Sequence, residues 1–198
     1  MRNKITLAMA VAGMMCGTSA FAADAGGGNI IFSGSVIDAP CSIIPESQNI
    51  QVNLGQVSAK SLKIAEATSS PVPITINLAQ CSFDPLGANP QPGATNYSKV
   101  AVEFGNVQAP ETGNGTLHDG QIRNMATSGA ATKVAIQLLK SDGSSPVDLS
   151  VPPTGGDIQL DTTSGTNQLK FFARMISVSG GATPGSVGAT VTYKLKYF

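Results

Sequence analysis

Residues 29–41 read NIIFSGSVIDAPC, and this stretch decides the fold. Ile30, Phe32, Gly34 and Val36 stand two residues apart. Alternate side chains of a strand point to opposite faces, so these four share one face. Gly34 is the exception among them, because a glycine inside a strand marks close approach of another backbone. The residues alone leave two readings open. The stretch is the first strand of its own sandwich, or it is a strand given to a neighbouring copy.

Upstream, Met1-Arg2-Asn3-Lys4 is basic, residues 5–16 are apolar, and Ala20-Phe21-Ala22 supplies small residues at the spacing of a signal-peptidase site. Residues 1–22 therefore read as a secretory signal peptide. A transmembrane anchor is the rival, and the small-residue exit favours cleavage. Met15 before Cys16 is too bulky for the usual lipidation signal. No later run is apolar for long enough to span a bilayer. Residues 23–40 form an N-terminal extension that begins with the flexible ADAGGG, and residues 41–198 form one domain.

The chain has 12 basic and 12 acidic residues, and loss of Arg2 and Lys4 tips the balance towards acid. With no basic excess, nucleic acid is not an expected partner. Charged residues make up only 12%, beside 22 Gly and 12 Pro. That composition suits a turn-rich β-protein that is covered or assembled. Cys16 leaves with the signal, so Cys41 and Cys81 remain. In an exported chain the simplest use of two cysteines is one disulfide. Closing a loop of about 40 residues is worth roughly 4 kcal/mol on the chain-entropy model. A free or metal-bound pair is the alternative, and no histidine or third cysteine lies near enough to support zinc.

Further along, Ile50, Val52 and Leu54 predict a short strand, and residues 58–68 have helical character. Val72, Ile74, Ile76 and Leu78 alternate up to Cys81, and the prolines and glycines of residues 82–96 predict a loop. Val100, Val102 and Phe104 form the next strand, followed by a polar excursion over residues 105–120. Val134, Ile136 and Leu138 alternate, then Ser141-Asp142-Gly143 turns. Over residues 169–178, Leu169, Phe171 and Ala173 are apolar on one face and Phe172, Ile176 and Val178 on the other, with Arg174 interrupting the second set, as in a strand inside a sandwich. After the turn SGGATPG at residues 179–185, alternation runs from Val187 to Tyr197. Short alternating strands between turn clusters predict an all-β sandwich. Without residues 29–39 it has about six main strands, one fewer than the seven of an immunoglobulin-like sandwich.

No constellation for catalysis stands out. His118, beside Asp119 in a polar loop, is the only histidine, and there is no nucleophile-elbow motif. Asp142, Asp148, Asp157 and Asp161 are scattered among turns without EF-hand spacing. Gly26, Gly27 and Gly28 neither follow a strand nor open a helix, so they make no phosphate loop. Asn96-Tyr97-Ser98 and Asn114-Gly115-Thr116 match glycosylation acceptors. Neither a metal nor a cofactor is expected.

The segment IIFSGSVIDAPCSI, Leu54-Gly55-Gln56, the second cysteine at Cys81, the Ala182-Thr183-Pro184-Gly185 turn, and a last strand ending one residue after Tyr197 together resemble chaperone–usher fimbrial subunits, close to type 1 pilins. The resemblance covers nearly all of the mature chain. It implies an incomplete immunoglobulin-like β-sandwich that lacks its last strand and exposes a groove. A periplasmic chaperone fills that groove first. At the outer-membrane usher, the extension of the next subunit replaces the chaperone strand. On this reading Ile30, Phe32, Gly34 and Val36 form the donor strand, with Gly34 over the pocket where exchange begins. Val191, Tyr193, Leu195 and Tyr197 edge the groove, and the chaperone grips the carboxylate of Phe198. Phe198 departs from the polar residue that many relatives carry there.

The resemblance thus implies a structural subunit of a surface fimbrium, not an enzyme, whose partners are other pilins, a chaperone and an usher. A host-surface receptor would be met through the fibre. The alternatives are a minor or adaptor subunit and a carbohydrate-binding adhesin. The mature chain has no room for a lectin domain ahead of the pilin domain, and it lacks tryptophan as a sugar platform.

Overall fold

Alternation between apolar and polar residues sets the strands of the body. The structure, a computed structural model, describes residues 28–37, 39–83, 97–111 and 113–198. The signal-peptide expectation and most of the loop expected at 82–96 lie outside the described residues. The chain divides into two units, residues 1–36 and 37–198. In the first, residues 28–36 are in no strand. Ile30 and Phe32 are 78% and 88% exposed.

The second unit carries β1 (Ser42–Ile43), α1 (Pro45–Gln48), β2 (Val72–Ala79), β3 (Lys99–Gly105), β4 (Gln121–Arg123), β5 (Val134–Leu139), β6 (Ile158–Gln159), β7 (Asn167–Ser177) and β8 (Thr192–Tyr197). They form a five-stranded sheet in the order β1-β2-β7-β5-β4 and a three-stranded sheet in the order β6-β3-β8. Every ladder is antiparallel. This is the all-β sandwich that the alternating runs predict.

Register puts the apolar residues between the sheets. Ile74 pairs Phe171 and Ile76 pairs Leu169 across β2 and β7, while Leu138 of β5 pairs Ala173. Val100 and Val102 of β3 are buried with Ile76, Leu78, Leu138 and Leu169 in one core. Phe104 of β3 meets Phe171 edge to face, ring centres 5.4 Å apart, an arrangement that aromatic quadrupoles favour. On the opposite face of β7, the Arg174 guanidinium donates to the side-chain oxygen of Gln137, its cross-strand partner, at 2.9 Å. That bond gives the charge on this face of β7 a polar partner.

Three local readings differ from the structure. Residues 58–68 form turns, with Ser61 N donating to Ser58 O and Leu62 N to Ala59 O. Leu62 is the only fully buried residue there, and one anchor gives a helix no stripe to bury. The helix falls instead at Pro45–Gln48, opened by Pro45, whose fixed φ suits a first helical turn. Ile50, Val52 and Leu54 alternate in burial as a strand should, yet sit in no ladder. In the last alternating run, the ladder begins only at Thr192.

Candidate functional site: an unpaired groove

The segments that alternate without a ladder partner enclose the site. A groove of about 1390 Å³ opens along the five-stranded sheet. Ile74 and Ile76 of β2, Met175 of β7, Val134 and Ile136 of β5 and Ile122 of β4 form its floor. Ile50, Val52, Leu54 and Val57 make one wall, and Ala182, Val187, Ala189 and Val191 make the other. Leu62 and Ala131 lie at one end, Ile43 and Tyr193 at the other.

Both walls present free backbone to this space. Among the described residues, residues 50–57 make no backbone–backbone hydrogen bond. On the opposite wall, among the described residues, the backbone groups of Val187, Ala189 and Val191 have no backbone partner either. β8, which continues that wall, is an edge strand of its sheet. Unpaired amides and carbonyls beside an apolar floor are a template for one more strand.

Polar anchors hold the second wall open. Asn124, just after β4, donates through Nδ2 to Ala131 O at 2.9 Å and to Ser186 O at 2.8 Å. Its Oδ1 accepts from Gly188 N at 3.0 Å and Ala126 N at 3.2 Å. Met125 N donates to Gly188 O at 2.7 Å. A Cβ on Gly185 would stand 2.4 Å from Ala131 N, so only glycine lets the turn of residues 182–185 lie against residues 129–131. Thr183 Oγ1 accepts from Thr132 N at 2.9 Å in the same place. Sequence reading missed Asn124. Its partners lie up to 64 residues away, and a lone asparagine carries no periodic signal.

The sequence-named residues divide. Val191 and Tyr193 line the groove. Leu195 and Tyr197 lie further along the same face of β8 and pack against the main core. Tyr193 Oη donates to Ser47 O at 2.5 Å, which ties β8 to α1. Tyr197 Oη stands 3.5 Å from Cys41 O. Burial pushes the Tyr197 phenol up to about 12 and raises that of Tyr193. Phe198 N donates to Lys99 O at 2.8 Å, and Phe198 O accepts from the amides of Ser98 and Lys99. In the extension, a Cβ on Gly34 would meet nothing within 4 Å.

Cys41 and Cys81 are disulfide-bonded, with a sequence separation of 40. Ser82 N donates to Pro40 O at 2.8 Å beside that bridge, so the start of the body is fixed at the β1 end.

The remaining polar candidates stand apart from the groove. His118 Nδ1 lies 2.7 Å from Asp148 Oδ2, and both are exposed to solvent to a substantial degree. Ser150 Oγ donates to Asp148, so the nearby serine is bonded to the carboxylate and not to the imidazole. That order gives the serine no base. Asp142 is pulled down to about 2 by the Ser145 hydroxyl and the amides of Ser144 and Ser145. Asp161 is lowered by the Thr163 hydroxyl and amide. Each carboxylate closes its own turn. Asp157 lies 3.4 Å from the Lys140 ammonium. A second cleft, beside Glu103 and residues 148–153, has a volume of about 90 Å³. That is well below the several hundred Å³ of a typical ligand pocket.

The sequence model of the fimbrial protein family matches residues 30–198. The chain is 36% identical to the uncharacterized fimbrial-like protein YgiL of Escherichia coli (strain K12), over 98% of this chain and 97% of the relative. It is 31% identical to the major MR/P fimbria protein of Proteus mirabilis, over 98% of both chains. Among solved structures, a chain of a chaperone–usher pilus superposes with a TM-score of 0.66 at 25% identity, over 88% of this chain and 97% of that one. The sandwich is therefore of the immunoglobulin-like pilin type. With that fold and those relatives, the chain belongs to the fimbrial protein family and is a structural subunit of a surface pilus.

Proposed function

We propose that this subunit polymerises by donor-strand exchange, with residues 29–37 of one copy completing the sandwich of another. The observation that carries the reading is the pair of unpaired walls over an apolar floor. Alternating apolar residues in the extension supply the complement. Ile30, Phe32 and Val36 are exposed, and burying each contributes roughly 1.5–3 kcal/mol before any ladder forms. Strand addition draws its affinity from backbone bonds and its specificity from alternate side chains in pockets. Gly34 then lies where the groove is shallow. Such a contact joins different surfaces of the two copies and does not close on itself, so it generates a filament.

On this reading residues 1–22 are removed on export, residues 23–40 are the donor extension and residues 41–198 the pilin domain. A periplasmic chaperone covers the groove until an outer-membrane usher exchanges it. Val191 and Tyr193 contact whichever strand occupies the groove, and Leu195, Tyr197 and Phe198 extend that edge for the chaperone. The fibre, not a catalytic site, is the product, and a host surface is met through it.

The test uses mature chain with Phe32→Asp in its own extension, which can accept a strand but cannot give one. Its melting temperature is measured with and without a peptide of residues 23–40. A ligand that binds only the folded state raises stability by mass action. A rise of several degrees, lost when the peptide carries Phe32→Asp, is expected. An acceptor indifferent to the wild-type peptide would overturn the reading.

A further inference from the structure

Among the described residues, unpaired lysines gather at one end of the sandwich and exposed carboxylates at the other. β7 has 11 residues, so its ends lie about 35 Å apart. Beyond its last residue, Gly181 N donates to Lys63 O at 2.8 Å, and a Cβ on Gly181 would lie 3.6 Å from Lys133 Nζ. Lys60 belongs to the same turn as Leu62. Among the described residues, none of these three lysines has a carboxylate within ion-pair distance, and all are exposed. Glu66 and Glu111 are the acids at this end, Glu111 already paired with Arg123 at 2.6 Å, and Ile64, beside Lys63, is 73% exposed.

At the other end of β7, Asp161 N donates to Asn167 Oδ1 at 2.8 Å. Gly165 O accepts from Cys81 N, so this turn adjoins the disulfide where the extension joins the body. Glu46 of α1 belongs to the same end, since Ile44 N donates to Asn77 O near the close of β2. Asp161 and Glu46 are exposed, and Lys99 is the base nearby.

The topology decides which ends meet. Four residues, 37–40, separate Val36 from Cys41, a reach of roughly 15 Å. A body that follows its inserted strand must therefore touch the groove end where the strand leaves. If it left at the Cys41 end, each copy would crowd the place where its acceptor's own extension departs, and no row could grow. On the donor-strand reading it would therefore leave between Leu62 and Ala182, antiparallel to residues 187–193, which is also the more stable ladder.

We infer that Lys60, Lys63 and Lys133 of each subunit seat the Asp161–Glu46 end of the next copy, a second contact that steers and orients strand exchange. The inference rests on the donor-strand reading. Complementary charge across such a contact acts chiefly on the association rate and is weakened by salt.

The experiment separates the two ideas. The Phe32→Asp chain is immobilised as acceptor, with and without Lys60→Glu, Lys63→Glu and Lys133→Glu. Two analytes are compared: whole wild-type chain, and the uncharged peptide NIIFSGSVI of residues 29–37. Both acceptors should capture the peptide equally, which also reports that the variant is folded. Whole-chain association should be about tenfold slower on the charge-reversed acceptor at about 0.05 M salt and nearly equal at about 0.5 M. A donor carrying Asp161→Lys and Glu46→Lys should regain the wild-type rate on that acceptor to within about twofold. Normal peptide capture with whole-chain rates indifferent to charge reversal would overturn this inference alone. So would a slowed rate that the reversed donor does not restore. Failure of both acceptors to take the peptide would overturn the donor-strand reading and this inference with it.

Discussion

Asn124 fixes one wall of the groove by acting on backbone. The wall of residues 186–191 has few neighbours to bond, and Asn124 supplies two of them, at Ser186 O and Gly188 N. An apolar residue lost from the floor would shrink one pocket. Loss of this amide would free the position of the wall itself. Asn124→Ala leaves part-buried donors and acceptors unmatched, which costs about 1–3 kcal/mol each where water cannot replace the bond. The expected outcome is a lower melting temperature for the empty subunit together with peptide affinity weakened by about tenfold or more. Calorimetric titration of the peptide into the variant checks this. Unchanged affinity would mean that the Met125–Gly188 bond and the Gly185 turn position the wall without Asn124. Asn124→Asp is the informative companion, since it keeps the acceptor to Gly188 N and loses the donors to Ala131 O and Ser186 O.

The extension is an element without a sheet. Its alternation is that of a strand, yet, among the described residues, residues 28–36 lie in no ladder. Gly34→Arg tests whether the missing sheet is another copy's groove. Within its own chain the substitution is free, because a Cβ there meets nothing within 4 Å and the backbone needs no unusual φ. In a shallow part of a groove an arginine has no room. The variant should melt like wild type and accept the wild-type peptide, but donate its strand at least about tenfold more slowly. Normal donation, read from polymer growth, would remove glycine from the argument. The same elements show what a sequence discloses. β2, β3, β5, β7 and β8 are long enough for period two to repeat, and each was legible. β4 and β6 have three and two residues, too few for any period, and their register comes from the neighbouring strand. Ile50, Val52 and Leu54 show the opposite case. Their pattern was legible as a strand, and the absence of a ladder was not, because pairing is a property of the partner. The groove was therefore legible only as a count one strand short, and Asn124 not at all.

A sandwich with an open groove leaves an apolar floor and backbone unpaired, and the disulfide and, on the donor-strand proposal, an incoming strand are two independent ways of stabilising it. The bridge between Cys41 and Cys81 closes a separation of 40 residues, which the chain-entropy model values at roughly 4 kcal/mol. It acts mainly on the unfolded chain. The strand acts on the folded state, where a ligand at a hundred times its dissociation constant adds about 2.7 kcal/mol. The magnitudes order the outcomes. Phe32→Asp chain with the bridge reduced should unfold at the lowest denaturant concentration. Reduced chain with peptide at that hundredfold excess should recover most of the loss and still fall about 1 kcal/mol short of oxidised chain without peptide. Oxidised chain with peptide should stand highest, the two contributions adding because they act on different states. Denaturation curves of the four samples check the order. If the peptide restored reduced chain beyond the oxidised, empty one, the groove would outweigh the bridge, and an assembled fibre would keep its fold after its disulfides were lost.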